Sequence, residues 1–326
     1  MGGRQSRSIT FTIPGLLIVW GLSACAVDDQ PDGAAAADTA MDASAQPTAP
    51  AAADTQTISV TDVGLATPES VVHDEQADVY LVSNINGQPL DRDDNGFIAR
   101  VRPDGTVEQL RWIDGAASDG FTLNAPKGLA LKGDTLFVSD IDSVRAFHRT
   151  SGEPLGAYGV PGASFLNDLA VGSDGTLYVS DSGLAPDFSS SGTDAVHRFE
   201  GGRSVVVAEG ERLAGPNGLA LDGDDLLVAP FASNEVLRVP PGGDSISTAA
   251  TLPGGQLDGI VRLGDGSLLV SSWESQAVYR VPATGGTATV VVEGIPSPAD
   301  IGYDARRQRV LIPVFTEDRV EFRPVR

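Results

Sequence analysis

The sequence predicts an all-β fold, a six-bladed β-propeller whose N-terminal strand closes the C-terminal blade. A short strand opens in the same register six times, and the second residues of these strands lie 58, 40, 50, 41 and 41 positions apart. A period near 40 residues, made of short strands and turns, is typical of radially repeated blades. The six second residues should form a ring at one mouth of a central channel. They are Glu69, Lys127, Asn167, Asn217, Asp258 and Ala299.

Residues 1–24 have the pattern of a secretory signal peptide. Two arginines precede an apolar run, and a small residue, Ala24, comes directly before Cys25, the single cysteine of the chain. This arrangement resembles the lipobox of bacterial lipoproteins and predicts a lipid on Cys25. Inner-membrane lipoproteins often carry Asp after the cysteine, whereas Ala26 points to the outer membrane. The alternative is an ordinary signal peptide with an incidental cysteine.

Residues 25–57 are predicted to be a flexible tether. The segment after the cysteine is rich in Ala, Pro, Asp and Thr and has no aromatic residue, so it cannot bury enough apolar surface to fold. Residues 57–63 then alternate with the period of a half-buried strand. Only about three strands remain after Ala299, so this N-terminal strand should complete the last blade. Residues 58–326 are therefore predicted to form one propeller domain.

The composition excludes two classes of partner. The chain has 22 basic and 44 acidic residues, which gives a formal net charge of −22. Such an acidic chain should not bind nucleic acid or anionic lipid heads. The sequence therefore predicts a small-molecule substrate, no nucleic-acid partner and no membrane contact beyond the lipid anchor. It makes no prediction about the oligomeric state.

Blades one and three exceed the period of about 40 residues, and the extra residues fall in three segments. They lie at residues 84–96, 114–124 and 181–194, and the order of strands places all three at the mouth that carries the ring. Long loops gathered at one face of a scaffold are often functional. Neutral insertion into surface loops is the alternative.

Oxygen-bearing side chains dominate the predicted ring. Calcium binds carboxylate and amide oxygens and tolerates irregular geometry. Glu69, Asn167, Asn217 and Asp258 would supply two negative charges and two neutral carbonyls, which suits Ca²⁺ or another divalent cation. A zinc site is not expected, because the histidines fall elsewhere: His148 and His197 on third strands, and His73 toward the opposite face. The alternative is that Asn and Asp only cap turns, which leaves the glutamate unexplained.

Four motifs resemble those of the senescence-marker-protein/gluconolactonase family, relatives of paraoxonases. They are Pro-Glu at 68–69, Asn-Asp at 167–168, Pro-Asn-Gly-Leu-Ala at 216–220 and Leu-Asp-Gly-Ile at 257–260. The resemblance implies a six-bladed propeller that holds a divalent ion, commonly calcium, and hydrolyses lactones. It also implies that Glu69, Asn217 and Asp258 bind the metal directly. Asn167 would bind it directly or through water, and Asp258 would double as general base.

The chain departs from the family at two positions. Sugar-lactone members carry Arg two residues before the equivalent of Asn167, where this chain has Phe165, so a less polar substrate is expected. Lys127 in the ring is also not expected from the family. It could polarise a substrate oxygen or bind a carboxylate. The alternative, which we prefer, is a structural ion pair with Asp168 or Asp300.

Residues 91–96 match the first half of an EF-hand loop, but Arg102 stands where a bidentate Glu is needed, so a polar loop tip is expected.

Together these observations predict a calcium-dependent hydrolase of a lactone or related ester in the bacterial cell envelope. The alternative is a non-catalytic envelope propeller that binds a ligand or a protein partner.

Overall fold

Six four-stranded antiparallel sheets make up residues 56–325 of the computed structural model, which describes this range apart from residues 119, 186 and 188. The sheets are the blades of a propeller, so the predicted fold class is confirmed. The predictions for the signal peptide, Cys25 and nearly all of the tether lie outside the described residues. No helix in the described range is both long and apolar enough to cross a membrane.

Blades one to three follow one another in the chain, each with its innermost strand first. Their strands are β2 (Pro68–Asp74), β3 (Val79–Asn84), β4 (Phe97–Val101), β5 (Val107–Asp114), β6 (Pro126–Lys132), β7 (Thr135–Asp140), β8 (Ser143–His148), β9 (Pro154–Gly159), β10 (Leu166–Val171), β11 (Leu177–Asp181), β12 (Ala195–Glu200) and β13 (Arg203–Glu209).

Blades four and five repeat this order, and blade six takes its outermost strand from the N-terminal side. Their strands are β14 (Pro216–Asp222), β15 (Asp225–Pro230), β16 (Glu235–Val239), β17 (Ser247–Thr251), β18 (Leu257–Arg262), β19 (Leu268–Ser272), β20 (Ala277–Val281), β21 (Thr289–Glu293), β22 (Gly302–Asp304), β23 (Arg309–Val314), β24 (Arg319–Pro324) and β1 (Ile58–Val60).

The ring is closed by pairing between the first and the last strand. Ile58 lies opposite Phe322, and Val60 lies opposite Val320, in antiparallel register. This is the closure that the sequence predicts. It pairs two strand edges that would otherwise be free to associate with other chains.

The hydrophobic core lies between neighbouring blades. One cluster joins Val60, Tyr80 and Phe322 of blades six and one, and another joins Ile98 and Phe147 of blades one and two. The second strands β3 and β23 are buried along their whole length, and successive residues of a strand face opposite sides of the sheet, so a blade packs apolar side chains against both of its neighbours. This packing fixes the inner strands around the channel, where the candidate site is built.

A buried ion pair and buried hydrogen bonds also connect blades one, two and six. Arg149, directly after β8, donates two hydrogen bonds to the carboxylate of Asp74, the last residue of β2. Across the closure, Tyr80 donates a hydrogen bond of 2.5 Å to Asp304, and Arg309 donates one of 2.7 Å to the Tyr80 hydroxyl. The seams between blades are therefore held by directional contacts as well as by apolar packing.

Candidate functional site

A β-bulge positions each functional side chain of the ring. In five inner strands the pairing register shifts just after the first residue, in β2, β6, β10, β14 and β18. A bulge leaves a residue unpaired and re-aims its side chain. The residues at these shifts are Glu69, Lys127, Asn167, Asn217 and Asp258, and all five line one cavity. The predicted ring is thus brought together, although Ala299 of blade six does not line this cavity.

Serines on the second strands tie the ring to the neighbouring blades. Each of three serines donates a hydrogen bond to the carbonyl oxygen of the next blade's ring residue. The pairs are Ser139 with Asn167, Ser180 with Asn217 at 2.7 Å, and Ser271 with Ala299 at 2.9 Å. The backbone N–H of Asp300 similarly donates to the carbonyl of Glu69 at 2.9 Å. These bonds hold the ring residues at one level of the channel.

Four of the ring side chains carry a buried oxygen that has no hydrogen-bond partner. These atoms are Glu69 Oε2, Asn167 Oδ1, Asn217 Oδ1 and Asp258 Oδ1. Only three other side-chain atoms in the described residues share this condition. The amide nitrogen of Asn167 donates to Ser182 at 3.1 Å, which leaves its oxygen free. Buried polar atoms normally find partners, so such a group calls for an ion or water.

The donor set fits a hard divalent cation. It consists of two carboxylates and two amide carbonyls from four blades, with no nitrogen or sulfur ligand, as calcium prefers and zinc does not. The described residues contain no group of three or more His, Cys, Asp or Glu side chains arranged to hold a metal. The candidate site differs from such a group because half of its donors are amides.

Carboxyl groups crowd the channel around this site. Burial raises the pKa of Glu69 well above its ordinary value, and Asp258 and Asp300 raise it further while Lys127 lowers it. Burial likewise raises the pKa of Asp258, with Asp300 adding to the effect. The pKa of Asp300 is raised by burial to about 6. A cation between Glu69 and Asp258 would offset the repulsion of their charged forms.

Lys127 projects into the same cavity. Its Nζ donates a hydrogen bond of 3.1 Å to the carbonyl of Ala125 and lies 4.5 Å from the ring centroid of Phe165. Burial lowers its pKa to about 8. The preferred ion pair with Asp168 or Asp300 is not formed: the first carboxylate accepts backbone N–H bonds and the second accepts from a serine hydroxyl.

An apolar wall stands above the ring, and the sequence reasoning missed it. The residue that directly follows the second strand of each blade forms a second circle, in the order Ile85, Ile141, Ser182, Phe231, Trp273 and Phe315. All except Ile141 line the cavity. The Trp273 ring lies 5.5 Å from Phe231 and 5.2 Å from Phe315, centroid to centroid. This fixed position, one residue past each second strand, was the signal that could have revealed the wall.

The cavity has a volume of about 360 Å³, and Phe165 forms part of its wall. Gln88 and Pro89 from the loop at 84–96, and Leu184 from the loop at 181–194, complete its rim. These two loops therefore lie on the ring face, as predicted. The third loop packs against the first, since the N–H of Gly96 donates to the carbonyl of Leu123 at 3.0 Å.

The remaining residues singled out in the sequence lie away from the cavity. His73 lines a separate cavity further along the inner strands and lies 3.1 Å from Asp78. His148 and His197 are on third strands, as expected. Arg102 pairs with Glu108 rather than with the loop at 91–96, which agrees with a polar loop tip.

Comparison with known proteins supports the fold. No family model matches the chain, and no curated protein matches it. A gluconolactonase from Xanthomonas campestris superposes with a TM-score of 0.62 at 20% identity, over 83% of this chain and 89% of its own. A streptogramin B lyase gives 0.59 at 13% identity over 82% and 96%. Virginiamycin B lyase from Staphylococcus aureus gives 0.54 at 16% identity over 82% and 97%.

Proposed function

We propose that this chain is a calcium-dependent hydrolase of a lactone or a related ester. The observation that carries the proposal is the set of four buried oxygens without hydrogen-bond partners around one cavity. A gluconolactonase and two lyases share the fold, but at 20% identity or less they support the architecture and not the activity. The proposed activity is therefore argued from the residues of the site.

We assign the metal to Glu69, Asn167, Asn217 and Asp258. These side chains offer oxygen donors from four different blades. When bound, a divalent cation supplies Lewis-acid stabilisation of charge that develops on a carbonyl oxygen. The bulges and the serine hydrogen bonds hold the donors in place before any ligand enters, which favours binding because little ordering remains to be done.

Asp258 is the residue that we assign as general base. Its carboxyl group lies on the cavity wall with Oδ1 unpartnered, and Asn217 and Trp273 lie beside it and lower its pKa against the effect of burial. A carboxylate in this position can accept a proton from water that attacks a substrate carbonyl. The aromatic wall excludes bulk water from the carboxylate and strengthens its electrostatic interactions.

The wall supports a substrate less polar than a sugar lactone. Phe165, Phe231, Trp273 and Phe315 surround the ring with apolar surface. A polyhydroxylated ring would lose hydrogen bonds to water there without gaining enough partners, and each unpaired hydroxyl would cost about 1–3 kcal/mol. An aryl or alkyl lactone avoids this cost.

A non-catalytic propeller that binds a ligand or partner is the second candidate. The same apolar wall favours it, because such a wall suits any ligand with an apolar body. A panel of lactones and aryl esters, assayed with calcium and with a chelator, separates the candidates. Calcium-dependent turnover supports the hydrolase, whereas binding without turnover of any member would replace it with the binding propeller.

We further propose that a lipid on Cys25 anchors the chain in the bacterial envelope, in the outer membrane. The support is the sequence pattern around the cysteine and the residue that follows it. The acidic, aromatic-free segment up to residue 57 would then hold the propeller away from the lipid surface.

A further inference from the structure

Lys127 is a buried cation without a counter-ion on the cavity wall. Its exposed fraction is 1%, and its Nζ has one hydrogen bond, to the carbonyl of Ala125. No carboxylate of the described residues lies within 4 Å of this ammonium group. An ammonium group carries three donors, so two remain for a ligand. A buried charge is costly unless it is paired, which makes this residue the least satisfied cation in the site.

The two carboxylates that favour the charged form of Lys127 are engaged elsewhere. Glu69 and Asp140 both act on Lys127 electrostatically. Asp140 accepts hydrogen bonds from the backbone N–H groups of Asn124 and Ala125 and pairs with Arg145 at 3.3 Å. In the proposed function Glu69 is a metal ligand. Neither carboxylate is therefore available to neutralise the ammonium group directly.

Phe165 contacts the ammonium group of Lys127 in a cavity that has both polar and apolar walls. The cation lies over the face of the aromatic ring, a contact that favours a fixed position for Nζ. The oxygen ring and the aromatic residues Phe231, Trp273 and Phe315 line the same cavity as Lys127. A ligand that satisfies both surfaces would carry a negative group beside Lys127 and an apolar body against the wall.

We propose that Lys127 forms an anion-binding subsite, and that the ligand of this cavity is an amphipathic organic acid with a carboxylate on Lys127 and a flat apolar body. If the chain is the proposed hydrolase, this ligand is its substrate or product, and in that respect the inference rests on the proposed function. The carboxylate has two possible sources: a group that the substrate carries beside its ester, or the group that ester hydrolysis releases. In both cases a carboxylate binds the ammonium group of Lys127.

The test uses the full chain as a W20F/W112F variant, whose single tryptophan is Trp273. Phenylacetate and its neutral isostere phenylacetamide are titrated, and the emission of Trp273 reports binding, with calcium and with a chelator. We expect the acid to bind roughly 10-fold or more tightly than the amide, on the scale of a charge-assisted hydrogen bond. K127M should abolish this preference.

K132M is the matched control, because Lys132 lies on the same strand and donates to the carbonyl of Gly175 outside the cavity. It should keep the preference for the acid. Thermal unfolding checks that each variant folds. If K127M does not fold, the affinities for phenylacetate and phenylacetamide are compared in the W20F/W112F protein with a chelator present. No metal can then hold the acid, so tighter binding of the acid supports the subsite and equal binding contradicts it.

Three results would overturn the subsite: equal affinity for acid and amide, no binding of either, or a preference that survives K127M. These readouts involve no turnover, so they can fail while calcium-dependent hydrolysis stands, and the reverse also holds. Where hydrolysis is found, KM values separate the two sources. A rise in KM with K127M for carboxylated substrates alone indicates a substrate group, and loss of product inhibition indicates the released group.

Discussion

Glu69 and Asp258 line the same cavity from strands of two different blades, and each presents a buried carboxylate oxygen without a hydrogen-bond partner. The charge on Asp258 raises the pKa of Glu69, so the two groups oppose each other's ionisation. Bulges and inter-blade hydrogen bonds keep them from moving apart. A divalent cation shared by both would convert this repulsion into attraction, which gives the first two predictions.

Glu69→Gln should weaken calcium binding by about 10- to 100-fold, because it removes one of two negative charges and keeps an oxygen donor. Isothermal titration of the chelated protein with calcium measures the effect. Glu75→Gln is the control, since Glu75 is exposed in the turn after the same strand. Unchanged affinity in Glu69→Gln would argue that these residues only cap turns.

Asp258→Asn should lower turnover by about 10²-fold or more on any lactone that the wild type hydrolyses, because it removes the base as well as one charge. Excess calcium should restore much of the activity of Glu69→Gln but not that of Asp258→Asn. Steady-state assays at rising calcium concentration make this comparison. Near-wild-type turnover in Asp258→Asn would show that Asp258 is not the general base.

The wild type should prefer an aryl lactone to a polyhydroxylated lactone by roughly 10-fold or more in kcat/KM, given the cost of burying unpaired hydroxyls. Phe165→Gln should reduce this ratio, whereas Phe165→Leu, which keeps the wall apolar, should largely preserve it. A two-substrate assay of the three proteins suffices. A preference for the polyhydroxylated lactone in the wild type would contradict the role given to the wall.

The six blades and the closure of the ring could be predicted from the sequence, because the first residues of the inner strands recur at regular spacing with turn residues between them. The ring residues could be found for the same reason. The aromatic wall was missed because Phe231, Trp273 and Phe315 differ in type from Ile85 and Ser182 at equivalent positions, so that only their shared place one residue past each second strand signals it. The environment of Lys127 depends on contacts between blades, which no local pattern encodes.

Asp74→Asn should destabilise the fold by about 3 kcal/mol, because it leaves the Arg149 guanidinium at the blade one and two seam without its ionic partner. Chemical denaturation measures the loss. Asp134→Asn is the control, since Asp134 is exposed beside the same arginine. A loss below about 1 kcal/mol would mean that the seam depends on packing alone.

The same variant should change the response to acid. Burial would raise the pKa of Asp74, but hydrogen bonds from Arg149 and from the N–H of Ala77 outweigh it, and the pKa lies below its ordinary value. A carboxyl with a lowered folded pKa stabilises the fold above its unfolded pKa of about 4 and loses this effect as the pH falls through the folded pKa. Glu75 and Asp134 also act on the arginine. The stability difference between wild type and Asp74→Asn should therefore shrink below about pH 4.

Cys25→Ser should move the chain from the membrane fraction to the soluble periplasmic fraction, since it removes the proposed lipid attachment. Fractionation with immunodetection, together with metabolic labelling by a fatty-acid analogue, reports both location and lipid. Cysteine-free chain that remains membrane-bound would point to another means of attachment.

The pairing of β1 with β24 has a consequence for biogenesis. Five blades each use one continuous stretch of chain, but the sixth needs Ile58–Val60 and Arg319–Pro324 together. The first of these segments is synthesised long before the second, so it has no partner strand until the last strand of the chain has been made. A product that terminates before residue 319 would lack β24 and leave the edge of β23 unpaired. Ring closure thus depends on the last strand, Arg319–Pro324.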